Sequence, residues 1–274
     1  MVTAKELMIV KYPAVKSGDT ISTFIGLIRK THQHWAVVLD EKGRYEGMAD
    51  KKLLMRSRID VQKMKVRHCV VSSPILSQED DLKIMLRKFL SSDVKALPVF
   101  NGKQLIGVVP VINVLNYFKP IISKVKAQEI MPKTLMTIKE TESIGKVLNL
   151  MTQKKLHHVP VVDDGKLVGI ISLEDILEKQ LLFPKTRMHI SGAASHQEHR
   201  QTGYGTGEKT SLMFCPASSL MSPDCCTCGP NDSLSKVIEQ MLENKHGSAI
   251  IAKDKKPIGI ITIKDILVKA QLLI

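Results

Sequence analysis

Four times along this chain of 274 residues, an amphipathic helical pattern is followed at a nearly fixed distance by a glycine. The apolar positions at i, i+3, i+4 and i+7 are Ile21/Phe24/Ile25/Ile28, Leu82/Met85/Leu86/Phe89, Ile144/Val147/Leu148/Met151 and Leu234/Val237/Ile238/Met241. Acidic or hydroxyl residues precede each set (Asp19-Thr20, Asp80-Asp81, Glu142-Ser143, Asp232-Ser233), as a helix N-terminus with free N–H groups favours. Gly47 follows Ile21 by 26 residues, and Gly107, Gly169 and Gly259 follow Leu82, Ile144 and Leu234 by 25 each. Between helix and glycine lie paired β-branched runs, such as VPVVD with LVGII and SAIIA with IGIIT. Asn101-Gly102 and Asp164-Gly165 suit the positive φ angles of a tight hairpin between such runs. The unit therefore reads β-α-β-β-α.

A small sheet with helices on one face leaves its other face apolar, so the units are expected to pair, one with two and three with four. The repeats span 1–60, 61–126, 127–182 and 213–274, and residues 183–212 form a loop rich in Gly, Ser, Thr and His, inserted before the fourth. Its GYGTG stretch is not read as a phosphate loop, because no strand precedes it and no Gly-Lys-Ser/Thr ends it. The expected fold class is α/β (α+β), with four repeats in two pairs.

After the last strand of repeats three and four stand GIISLEDIL and GIITIKDIL: glycine, two apolar residues, Ser or Thr, two variable residues and Asp. Met131 and Met221 each precede their glycine by 38 residues. With the fourfold period, this pattern resembles the cystathionine β-synthase (CBS) domain over nearly the whole chain outside the insertion. The resemblance implies two Bateman modules forming a flat disc, regulatory binding of an adenosine compound in clefts between paired repeats, no catalysis and no catalytic cofactor.

That resemblance assigns ligand contacts to Ser172 with Asp175 and to Thr262 with Asp265. An Asp in the first turn of a helix offers carboxylate oxygens to ribose hydroxyls, while a Ser or Thr three residues earlier and the free N–H groups suit phosphate. The same Ser/Thr-x-x-Asp spacing also describes a capping box that satisfies only the helix itself. His157 and His158 stand where the family places phosphate-contacting basic residues. Repeat four has Gly247 and Ser248 there, leaving its phosphate contacts to repeat three. The adenine ring is expected against the opening strands near Thr137 and Thr227. Repeat one departs from the motif, with Asp50 and Leu53 in the two places, and repeat two has Pro110 and Asn113. The expected ligand is AMP, ADP or ATP, with an S-adenosylmethionine-type compound as the alternative.

The net charge of +13 is uneven: residues 1–126 carry 22 Lys/Arg against 11 Asp/Glu, and residues 127–274 carry 18 against 16. Seven basic residues and one acidic residue lie between Lys51 and Arg67, which suits a solvated face or an anionic partner. A nucleic-acid-binding scaffold is thus the reading from another class, although six Phe, four Tyr and one Trp provide little stacking surface. The other expected partners are an unidentified protein and a second copy of the chain. No run of 18 uncharged apolar residues exists and the start MVTAKELMIVKYP lacks a cleavage-site pattern, so the chain reads as cytoplasmic, with no membrane partner. The cluster Cys225, Cys226 and Cys228 matches apolar strand positions of repeat three better than zinc spacing, and no nucleophile motif occurs, so neither metal nor enzyme activity is expected.

Overall fold

The computed structural model describes residues 2–51, 64–92, 94–173, 175–176, 212–244 and 246–274. Leu53, most of the basic stretch between Lys51 and Arg67, and all of the insertion but Leu212 lie outside them. By contacts the chain divides into two compact units, Met1–Leu135 with Cys225–Ile274, and Met136–Asp224.

The first unit holds three sheets. Repeat one contributes β1 (Ala14–Lys16), β2 (Trp35–Leu39) and β3 (Tyr45–Asp50), with β4 (Val70–Val71) added at the edge. Repeat two contributes β5 (Leu76–Ser77), β6 (Ala96–Asn101) and β7 (Gln104–Pro110). Repeat four contributes β11 (Thr227–Cys228), β12 (Ser248–Lys253) and β13 (Lys256–Thr262). The second unit holds β8 (Ile138–Lys139), β9 (His158–Asp163) and β10 (Lys166–Ser172). In every sheet a short opening strand runs parallel to the central strand, which pairs antiparallel with the third.

The first helix of each repeat crosses over between the opening and central strands: α2 (Ile21–Thr31), α3 (Leu82–Leu90), α6 (Ile144–Lys154) and α7 (Leu234–Glu243). Their N-caps are the residues the sequence marks. The side chains of Thr20, Asp81, Ser143 and Ser233 accept from the N–H groups of Thr23, Ile84, Lys146 and Lys236 at 2.8–3.3 Å. The helical stripes are buried against the sheets, with Phe24, Met85, Val147 and Val237 all at 0% exposure. The second helices described are α4 (Val111–Phe118) and α8 (Ile263–Gln271), and they join α3 and α7 in one core. Repeats two and four are thereby packed together, and Lys119 Nζ lies 3.1 Å from Glu239 across that contact. On the sheet side, repeats one and two share a cluster of Trp35, Val37, Met48, Ala96 and Val108.

Ahead of each repeat runs an arm that leaves its own repeat and docks on another. The arm with α1 (Ala4–Leu7) lies on repeat two, where Ala4 N–H donates to Asp80 O at 2.9 Å and Ile9 and Val108 exchange backbone bonds. The arm at Val66–Cys69 lies on repeat one, where Val66 N–H donates to Asp19 O at 2.9 Å. The arm with α5 (Ala127–Ile130) lies on repeat four, where Ala127 N–H donates to Asp232 O at 2.9 Å. The arm at Ala217–Ser219 lies on repeat three, where Ala217 N–H donates to Glu142 O at 2.7 Å and Ser222 and Ile170 exchange bonds. The exchange is reciprocal: one with two, and three with four.

The arms explain the fixed glycines. A Cβ on Gly107 would meet Met8 Sδ at 2.7 Å, one on Gly169 would meet Met221 Sδ at 2.9 Å, and one on Gly259 would meet Met131 Sδ at 2.6 Å. At Gly47 the neighbour is Val70, and φ is +157°. The glycine is needed because the arm side chain lies flat on the strand backbone. Gly259→Ala is expected to destabilise the protein by about 1–3 kcal/mol in urea unfolding. In a Met131→Ala background the same change is expected to cost clearly less, because the side chain that it strikes is gone.

Candidate functional site

Each third strand runs into a turn, and a backbone bond ties that turn to the residue before the central strand. Leu173 N–H donates to His157 O at 2.8 Å, Ile263 to Gly247 at 3.3 Å, Val111 to Lys95 at 2.9 Å and Lys51 to His34 at 2.8 Å. Register then sets one pair of facing residues per repeat: Trp35 with Asp50, Ala96 with Pro110, His158 with Ser172 and Ser248 with Thr262. Four copies of one backbone thus present four different chemistries at one place.

In repeats three and four the Ser/Thr-x-x-Asp pairs close on themselves. Ser172 N–H and Oγ–H donate to Asp175 Oδ2 at 3.0 and 2.6 Å, and Asp175 N–H donates back to Ser172 Oγ at 3.0 Å. Thr262 N–H and Oγ1–H donate to Asp265 Oδ2 at 2.8 and 2.6 Å, and Asp265 N–H donates to Thr262 Oγ1 at 3.4 Å. Both pairs form capping boxes. The box takes Oδ2 and leaves Oδ1: among the described residues no hydrogen bond reaches that oxygen of Asp175 or Asp265. The acceptor available to a ligand is one oxygen per carboxylate, where the sequence alone suggests two. All four side chains are half-buried, a degree of exposure compatible with contact from outside.

His158 opens β9 facing Ser172 and is half-buried, and His157 precedes it on the surface. Thr227 lies on β11, exposed, with its hydroxyl donating to Cys225 O at 3.1 Å. Thr137 is exposed immediately before β8, at the place equivalent to Thr227. The structure therefore brings His157, His158, Ser172 and Asp175 to one end of the repeat-three sheet, and Ser248, Thr262 and Asp265 to the same end of the repeat-four sheet.

Repeats one and two lack this chemistry. Trp35 is 3% exposed and belongs to the core between the two sheets, and Asp50 is buried beside it. Asn113 donates through Nδ2 to Leu7 O of the docked arm at 2.8 Å, so its amide works as an arm clamp. A clamp to an arm is not readable from an Asn in a motif. Ser248 is likewise invisible in sequence, since its property is burial: it is 2% exposed, and its hydroxyl has no hydrogen-bond partner.

Cys226 and Cys228 are buried in the core of repeats two and four, and Cys225 is half-buried. Hydrogen bonding to Cys228, with burial second, pushes the Cys226 thiol above its ordinary value. The same bond lowers Cys228. Among the described residues no group of three or more His, Cys, Asp or Glu is placed to hold a metal ion, and no helix is long and apolar enough to cross a membrane. His196 and His199 of the insertion, the histidines that in sequence would join the cysteines in a zinc site, lie outside the described residues.

The CBS domain family model matches residues 4–60, 127–181 and 217–271, more than half of the chain. Repeat two falls outside the match yet has the same elements. An uncharacterized protein of Methanocaldococcus jannaschii, MJ1404, is 25% identical over 270 residues, covering 96% of this chain and 60% of the relative. The chain thus spans less than two thirds of that relative's length. A homoserine O-acetyltransferase of Methanosphaera stadtmanae is 30% identical over 143 residues, 52% of this chain and 23% of that enzyme. The crystal structure of protein MJ1225 from M. jannaschii, put forward as an archaeal homologue of γ-AMPK, superposes with a TM-score of 0.75 at 18% identity, covering 98% of this chain and 100% of that one. This likeness bears on the fold.

The capping role has its own test. Thr262→Ala should lower stability by about 1 kcal/mol in denaturant unfolding without ligand, because two bonds at the start of α8 are lost.

Proposed function

The chain belongs to the CBS domain family, and from that premise we propose that it is a regulatory protein that binds an adenine nucleotide, AMP, ADP or ATP, and catalyses no reaction. The observation that carries this reading is the repeated box at the ends of β10 and β13, where Asp175 and Asp265 each keep one carboxylate oxygen unengaged. A ribose hydroxyl donates well to such an oxygen, because a hydrogen bond to an ionised acceptor is about twice as strong as a neutral one. In repeat three, His157 and His158 stand at the same sheet end and supply donors, and positive charge when protonated, to a phosphate. Thr137 and Thr227 mark the exposed edge of the opening strands, where the adenine ring would lie.

Regulation requires that the ligand favour one conformational state over another. The exchanged arms offer a route, since each ties the loop before one repeat's first helix to the chain entering another repeat. The partner that senses the change is a protein of unknown identity in the cytoplasm, with the basic first half of the chain as the contact surface; a second copy of the chain is another candidate.

Titration calorimetry with AMP, ADP, ATP and S-adenosylmethionine tests this. At least one of the three nucleotides is expected to bind, and Asp175→Ala combined with Asp265→Ala should weaken binding by about 100-fold or more, the loss of charge-assisted bonds in each site. Binding of S-adenosylmethionine alone would replace the ligand class, and no binding of any of the four would refute the reading.

A further inference from the structure

Repeats three and four carry the same box but differ at the residue that faces it. In repeat three the facing residue is His158, preceded by His157; in repeat four it is Ser248, preceded by Gly247. Ser248 and Thr262 are direct partners across an antiparallel pair, so their side chains share a face with Cβ atoms about 4.5–5.5 Å apart. The Thr262 hydroxyl proton is committed to Asp265 Oδ2 at 2.6 Å. The Ser248 hydroxyl, buried at 2% exposure, makes no hydrogen bond.

A buried hydroxyl left unpaired costs stability, and alanine, which lacks the hydroxyl, would avoid that penalty. Repeat two has alanine there, Ala96, fully buried. The unpaired hydroxyl on the strand pair that ends in the Thr262–Asp265 box thus points to a polar group that arrives from outside. Its chemistry follows from what surrounds it. Among the described residues the nearest basic side chains in sequence, half-buried His246 and exposed Lys264, flank the paired positions and do not occupy them. A dianionic phosphate brought against a buried neutral hydroxyl would lose its hydration with no cation at the paired positions to offset the loss, whereas an uncharged hydroxyl, ether or thioether would not.

Resting on the reading above, we infer that repeat four is a nucleoside site: Asp265 holds the ribose, and Ser248 meets an uncharged 5′ end. The phosphorylated ligand belongs to repeat three. This departs from the sequence expectation that repeat four takes its phosphate contacts from repeat three.

The test titrates adenosine and AMP into a chain carrying Ser172→Ala and Asp175→Ala, which leaves repeat four as the intact box. Adenosine should bind about tenfold or more tighter than AMP in that background, and adding Ser248→Ala should weaken adenosine about tenfold. Ser248→Ala alone, in the otherwise unaltered chain without ligand, should not lower the thermal midpoint. AMP binding as tight as adenosine in the repeat-four background, adenosine affinity unmoved by Ser248→Ala, or a lowered midpoint for Ser248→Ala would overturn the inference and leave nucleotide binding at repeat three standing. Failure of every adenosine compound to bind the unaltered chain would remove both.

Discussion

A methionine lying flat on a glycine holds the arrangement together. Met8 over Gly107, Met131 over Gly259 and Met221 over Gly169 bring the arm of one repeat within van der Waals distance of the third strand of another, with Val70 over Gly47 as the fourth instance. A polarizable, unbranched side chain fills such a gap well, and the absent Cβ lets the backbones close in. Around each contact the arm buries a small residue, Ala4, Val66, Ala127 or Ala217, at 0% exposure, and its N–H bonds to the loop before the partner's first helix. The arm therefore satisfies backbone groups of the loop that presents the N-cap, and each first helix begins under an arm from elsewhere in the chain.

One backbone repeated four times lets side-chain chemistry diverge while geometry is retained. The position facing the third strand's last residue is Trp35, Ala96, His158 or Ser248. Trp35 closes the place in repeat one by joining the core between sheets. In repeat two, Pro110 removes the capping hydroxyl and Asn113 is drawn to the arm at Leu7. What remains is a pair of boxes whose carboxylates retain one oxygen each, in repeats that have kept Ser or Thr followed by Asp.

Much of the fold was legible in the sequence, because burial at period 3.6 and strand pairing at period two are local properties. The N-caps Thr20, Asp81, Ser143 and Ser233, the hairpin at Asp164-Gly165 with φ of 46° and 75°, and the strand runs all lie where the pattern places them. The purpose of the fixed glycines was not legible, because the atom that crowds each of them arrives from an arm 99 or 128 residues earlier at Gly107 and Gly259, and 23 or 52 residues later at Gly47 and Gly169. For the same reason the sequence does not show that repeat four shares a core with repeat two. At the site, residue types pointed to the Ser172–Asp175 and Thr262–Asp265 pairs, but the number of free carboxylate oxygens and the burial of Ser248 depend on three-dimensional packing. Asn113 is the reverse case, a plausible ligand residue in sequence that a long-range bond to Leu7 claims for structure.

The central claim is that two of the four equivalent strand ends, those of repeats three and four, receive an adenosine compound. Amide hydrogen exchange of the full chain, compared without ligand and at saturating AMP or adenosine, reads this directly. The account predicts slowed exchange at residues 172–176 with AMP and at 262–266 with adenosine, with the equivalent turns at 50–51 and 110–113 unchanged. Protection at the turns of repeats one or two instead, or no protection at any of the four, would contradict it.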